Sequence, residues 1–330
     1  RHVVGILGTL IFKQPSILPS NQNPLGALPA RFRRERVLIV GCGDVGLRVA
    51  RQLTPRVQVL AFTSQGARVP ELRAMGIRAM VGNLDHPATI ARLSGLATRV
   101  IHLAPPPSEG WSDTRTHALV RALRLRQSPV CTVYGSTSGV YGDCSGDWVS
   151  ETRTVDPHTP RAHRRVDAEN RIRFWGRSAS TRVSILRIPG IYAQDRDGGT
   201  PRARLLKGVP VLRDADDVYT NHIHADDLAR ACCLALWRGA PQRTYNINDN
   251  TCLKMGDYFD LAADLYDLPR PPRIARSTAA DQLPLMLLSF MSESRRMDNT
   301  RMKRELGLRL RYPSVRDGLA LCAAAPPRLR

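Results

Sequence analysis

No run of apolar side chains in this chain reaches the roughly 18 residues that a membrane-spanning helix needs. The longest such stretch, Val3 to Phe12, is too short for a span. Cysteine is scarce and unpatterned: the seven residues form no C-x-x-C pair and no His/Cys set at zinc spacing. That excludes a disulfide framework or a structural metal and points to a reducing, cytoplasmic setting. Acidic residues are too few to balance the bases, 29 against 49, which leaves a net charge of +20. Even so, the arginines are scattered, with no block of five or more basic residues, and aromatics are only 5% of the chain. Without basic blocks or aromatic interleaving, no dedicated nucleic-acid function is expected and a nucleic-acid binder ranks last among the readings, while weak attraction to polyanions is expected. A small-molecule substrate is the expected partner, with no membrane. Self-association as a homodimer stays open.

What is present is enough for a sizeable core: 330 residues, 42% of them hydrophobic. Residues 1–35 read as a short apolar stretch and a Pro/Asn/Ser-rich linker outside the fold, expected to be disordered. A signal peptide would need a small-x-small cleavage site, and none follows closely. From Arg36 onward, short β-branched runs alternate with helical patterns, the mark of βαβ units and a parallel sheet covered on both faces. Six strands begin near Val37, Val57, Ile77, Arg99, Val130 and Val183. Helical spacing appears from Gly46, Ala88, His117 and about Arg161, and later over Ala225–Arg238, Lys254–Asp267 and Asn299–Leu306. The expected architecture is a Rossmann-type, doubly wound α/β sheet over residues 36–192, completed by later segments. Residues 193–330 would form mainly a smaller, C-terminal substrate lobe.

The strongest chemical signal is GCGDVG, residues 41–46, directly after an apolar strand and opening a helix. Gly41 permits the tight turn, Gly43 lets a pyrophosphate approach the backbone, and Gly46 lets helix and strand pack closely. Asp44 and Val45 complete a loop whose helix N-terminus faces the anion. An NAD site usually places an acidic residue at the end of the second strand. That region here reads FTSQGAR, without a carboxylate. Thr63, Ser64 and Arg68 would instead hold a 2′-phosphate, so NADP is favoured, with NAD the alternative.

From Arg36 to about Leu319 the chain resembles the extended short-chain dehydrogenase/reductases of the NAD-dependent epimerase/dehydratase family, and most closely its atypical YeeZ-like group. The resemblance rests on GCGDVG, VGNLD, HLAPPP, GSTSGVYGD, LRIPGIY and NHIHADDLA, in that order. It implies that Asn83 and Leu84 lie near an adenine, Leu103, Ala104 and Pro105 along the cofactor, and Pro189 to Ile191 beside a nicotinamide. It also implies that Thr137 is the family's catalytic hydroxyl, which binds the substrate oxygen.

The family's Y-x-x-x-K does not follow. Counting back from Glu169 puts Arg165 in the Lys position and Arg161 in the Tyr position, and no Tyr occurs from Gly142 to Asn170. Arginine, with a pKa above ~12, stabilises an oxyanion or holds an anionic group but does not shuttle protons. Tyr141, His158 and His163 are the remaining candidates for a proton donor. Asp113 stands near the family's catalytic Asn position, or serves only as an N-cap. His222 and His224 lack a third metal ligand, and Cys232 and Cys233 fall inside an apolar helix. The expectation is an oxidoreductase or epimerase transferring hydride to or from a carbonyl or alcohol of a small, anionic or sugar-nucleotide substrate. The alternative is a non-catalytic NADP(H)-binding sensor or scaffold.

Overall fold

The computed structural model describes residues 35–323, so the extension expected over residues 1–35 lies outside the described residues except for Glu35, which belongs to the fold: it accepts from Trp237 Nε1 at 3.2 Å. Strand β1 (Arg36–Val40) is followed by α1 (Asp44–Leu53), β2 (Gln58–Thr63), α2 (Val69–Ala74), β3 (Arg78–Val81) and β4 (Arg99–His102). Next come α3 (Thr114–Leu123), β5 (Cys131–Thr137), α4 (Pro160–Ser178), β6 (Arg182–Ile188), α5 (Ala225–Arg238), β7 (Arg243–Asn246) and α6 (Met255–Tyr266). The strands form one seven-stranded sheet, ordered β7-β6-β5-β4-β1-β2-β3, and every pair in it is parallel.

Alternation along each strand decides which helix layer a side chain meets. Val37 and Ile39 pack with Leu47, Ala50 and Leu53 of α1 and with Leu228, Cys232 and Leu236 of α5. Leu38 and Val40 face the other way, onto Leu119 and Leu123 of α3 and Ile172 and Trp175 of α4. Each such aliphatic side chain contributes about 1.5–3 kcal/mol by leaving water. This two-sided burial is why β1 reads as an unbroken apolar run. Among the described residues, no helix is long and apolar enough to cross a membrane.

The doubly wound fold expected from the sequence is present, with three differences in detail. The sheet has seven strands, not six: Arg243–Asn246 pairs with Ser184–Arg187 at the sheet edge. Four residues with a polar one at each end carry too little alternation to stand out. The apolar run from Val183 to Tyr192 is two strands, because Pro189 has no N–H for the ladder. Gly190–Tyr192 pairs with His222–His224 instead. The helix expected from Ala88 shrinks to one α-turn, Pro87–Ile90, and a 3₁₀ turn, Ala91–Leu93.

Beyond residue 192 the chain divides its service. Helix α5 and strand β7 belong to the sheet layers, while Tyr192, Leu205, Val211, Tyr258, Phe259 and Ala262 build a separate, smaller core. Buried Asp227 in the first turn of α5 accepts from the backbone N–H groups of Arg311 and Tyr312, tying the C-terminal segment to that helix.

Candidate functional site

The chain leaves β1 and winds outward through β2 and β3, then returns to β4 on the other flank of β1. Ligands of open α/β sheets bind at such a switch point, beyond the carboxyl ends of the strands. Gly41 stands there with φ +88°, and a Cβ on it would lie 2.3 Å from the Ala104 nitrogen. Gly46 is equally confined, since its Cβ would come 2.8 Å from the Gly41 oxygen. Gly43 differs: nothing lies within 4 Å of where its Cβ would be. It is also the N-cap of α1 and supplies no side-chain cap, which leaves first-turn N–H groups and the positive end of the helix dipole for an anion. The diphosphate of a dinucleotide fits this cradle, whose open face any side chain at Gly43 would fill.

Asp44 opens α1 with a negative charge, but its carboxylate is compensated. It accepts from Arg48 Nε at 3.1 Å and from Arg196 Nη1 at 2.7 Å. Arg48 reaches on to Asp195 and Asp226 at 2.5 and 2.6 Å. Sequence reasoning misses Arg196, and only its place in the acidic, glycine-rich QDRDGG loop hints at it.

Two adjoining clefts of about 290 and 400 Å³ share Gly41, Gly43 and Pro105. The first also holds Asp44, Val45, Gly46, Leu103, Pro189 and Ile191. The second holds Thr63, Ser64, Arg68, Asn83, Leu84 and Ala104. All the residues expected to bind a cofactor therefore line one continuous depression. In the second cleft, Arg68 donates to the Cys42 carbonyl at 2.6 Å and to Glu71 at 3.3 Å. Asp85, within the VGNLD motif, adds a carboxylate to this cleft, but Arg115 holds it through two bonds of 2.8 and 2.7 Å. That pairing lowers the pKa of Asp85.

Thr137, Arg161 and Arg165 line the first cleft together with Ser136. Thr137 Oγ1 accepts from Gly139 N at 3.3 Å, capping the turn that follows β5. Ser136 faces inward and donates to Glu169 Oε1 at 2.6 Å. Glu169, 1% exposed, also accepts from Arg187 Nη2 at 2.8 Å and Arg173 Nη2 at 2.9 Å. Burial alone would raise the pKa of Glu169, yet Arg187, Arg173 and Ser136 together hold it below the ordinary carboxylate value. Arg165 donates to the Tyr134 hydroxyl at 3.1 Å and to the Gly135 carbonyl at 2.8 Å.

The other catalytic candidates are placed elsewhere. Tyr141 lines neither cleft: it is 1% exposed, lies under the Arg187 guanidinium and donates to Asn246 Oδ1 at 2.7 Å. Burial raises its pKa, and its contacts are those of a packing residue. Asp113 is buried as the N-cap of α3, accepting from Thr116 N at 3.0 Å and Thr116 Oγ1 at 2.7 Å. Its capping role removes it from the cleft. His158 sits beside Asp156 on the surface and His163 lies edge-on to Trp111. His222 stacks on Tyr258, and His224 Nδ1 accepts from Asp226 N at 3.2 Å.

The model of the NAD-dependent epimerase/dehydratase family matches residues 37–248. The chain belongs to that family. Membership of the epimerase/dehydratase family makes this an NAD(P)-binding Rossmann protein. Among solved structures, the family member described here is similar to a functionally unknown conserved protein from Silicibacter pomeroyi DSS. The two are 28% identical with a TM-score of 0.73, covering 88% of this chain and 98% of that one. It is also similar to a UDP-glucose 4-epimerase from Thermotoga maritima solved with UDP-glucose, at 20% identity and a TM-score of 0.70 over 87% of this chain and 97% of that chain. A UDP-glucose 4-epimerase from Thermus thermophilus in complex with NAD gives 20% identity and a TM-score of 0.68, over 87% and 97%. At 20% identity these two likenesses concern the fold. No curated protein matches the chain.

Two outcomes follow from the geometry. Gly43→Ala should leave the unfolding midpoint nearly unchanged but lower dinucleotide affinity at least about tenfold, as read by calorimetry. Unchanged affinity would remove Gly43 from the cradle. Glu169→Ala strands the buried Arg187 charge and should cost about 3–5 kcal/mol in urea denaturation. Because the folded pKa of Glu169 lies below its ordinary 4.5, its contribution is present above that pH and lost as pH falls through the folded value. Glu169→Gln should flatten this acid limb.

Proposed function

We propose that the protein is an NADP(H)-dependent oxidoreductase acting on a carbonyl or alcohol group of a small substrate. The reading rests on one observation: Thr137 and two arginines of α4 line the same cleft as the open phosphate cradle. A bound nicotinamide dinucleotide supplies reversible hydride transfer to or from a carbonyl or alcohol carbon. In this reading Thr137, which lines the cleft, hydrogen-bonds the substrate oxygen, and the Arg165 guanidinium stabilises negative charge on it. Arginine does not release its proton, so the proton is exchanged with solvent or with the substrate itself.

The preference for NADP(H) is supported by the second cleft, where Thr63, Ser64 and Arg68 gather. Asp85, the carboxylate within it, is already engaged by Arg115. A second reading, a non-catalytic NADP(H) sensor, is favoured by Arg161 and Arg165 standing where the family keeps its proton-relaying Tyr and Lys.

Arg68→Ala should weaken NADPH binding by about 1.5–3 kcal/mol, roughly 10- to 150-fold, with little change for NADH. Equal losses for both coenzymes would contradict a 2′-phosphate contact. In a panel of carbonyl and alcohol substrates, Thr137→Ala should cut turnover by roughly 100-fold while NADPH affinity holds. Tight NADPH binding beside zero turnover across the panel would favour the sensor.

A further inference from the structure

We propose that the first cleft recognises its substrate through an oxyanion group, a carboxylate or a phosphate, gripped between Arg161 and Arg165 beside the Thr137 hydroxyl. This inference rests on the oxidoreductase reading for the identity of the bound molecule as substrate, but the anion site stands on its own geometry.

Residues four apart on a helix share a face, and here both side chains line the cleft that also holds Thr137 and Ile191. Arg165 is 8% exposed, and its Nε is buried without a hydrogen-bond partner. The groups that hold it, the Tyr134 hydroxyl and the Gly135 carbonyl, are neutral. Burial pushes the Tyr134 phenol up to about 12, so it brings no negative charge. The carboxylates nearby are engaged elsewhere: Glu169 by Arg187 and Arg173, Asp167 by His117, and Asp113 by the N–H and hydroxyl of Thr116. Asp44, the carboxylate lining the cleft, is held by Arg48 and Arg196.

Two guanidinium groups thus line one cleft, Arg165 buried and Arg161 exposed, and neither has a carboxylate partner among the described residues. Partial burial, with the charges of Arg165 and Arg164, depresses the pKa of the exposed Arg161, and the buried Arg165 charge has no carboxylate partner among the described residues. A neutral sugar hydroxyl would leave that charge uncompensated. A carboxylate or phosphate neutralises it and accepts the planar, paired N–H donors that guanidinium groups offer.

The test is calorimetric titration of NADPH-saturated protein with oxalate and, separately, with inorganic phosphate, against chloride at matched ionic strength. Saturation with coenzyme fills the phosphate cradle, so the titrated anion reports on the arginines. At least one anion should bind, and the tighter of the two identifies the substrate group. Arg161→Ala should weaken that binding at least about tenfold. Arg161→Lys should retain part of it and Arg161→Glu none, with NADPH affinity within about twofold in each variant. No anion binding, or equal binding by Arg161→Ala, overturns the proposal. The titration is repeated without coenzyme. If wild-type protein fails to bind NADPH, the coenzyme reading falls, while dependence of anion binding on Arg161 still decides this one.

Discussion

The molecule turns on a backbone contact that tolerates no side chain. Where β1 ends, the N–H groups of Leu103 and Ala104 donate to the Val40 carbonyl at 2.8 and 3.1 Å, and Gly41 is pressed against Ala104. Adjacent strands stay in register to their last residue, and the two loops then diverge. The gap between them is the depression in which the residues expected to bind a cofactor collect. With a Cβ at Gly41 the strands would have to part, and α1 would no longer begin at the mouth of that gap.

Arginine supplies much of the long-range stitching. One planar guanidinium presents several donors in fixed directions, so Arg48 joins the phosphate-loop helix to Asp195 and Asp226, both far along the chain. Arg187 of β6 pairs with Glu169 of α4 and so locks that helix to the sheet, while Arg173, one turn along the same helix, pairs with Glu169 locally. The high basic count therefore reflects internal clamps as well as surface charge. The two arginines of α4 that line the cleft, by contrast, have no carboxylate partner among the described residues.

Much of the scaffold was legible because burial on both faces leaves a strong imprint. β1 after Arg36 is a continuous apolar run, β5 and β6 are rich in β-branched residues though broken by polar ones, and α5 spans the residues its periodicity marked. The phosphate loop was legible because its glycines obey backbone sterics that act over a few residues. β7 was not, since its place comes from pairing with β6 and not from its own four residues. Side-chain direction was harder still. Ser136 and Thr137 are neighbours, yet one turns to Glu169 and the other caps the following turn. Tyr141, four residues after Thr137, points into packing with Asn246. Asp113 and Arg196 show the same limit from opposite sides, one drawn out of the cleft by capping and one drawn in by Asp44.

The sequence by itself determined the alternation of strand and helix, the glycine turn and the absence of a tyrosine ahead of Glu169, because each depends on residue type and short-range spacing. Tertiary structure decided which charges neutralise one another. Arg48 and Asp226 meet across 178 positions, and Arg187 and Glu169 across 18. Pairing of charge is a property of distance in space, and only the folded chain brings those distances within reach of a hydrogen bond.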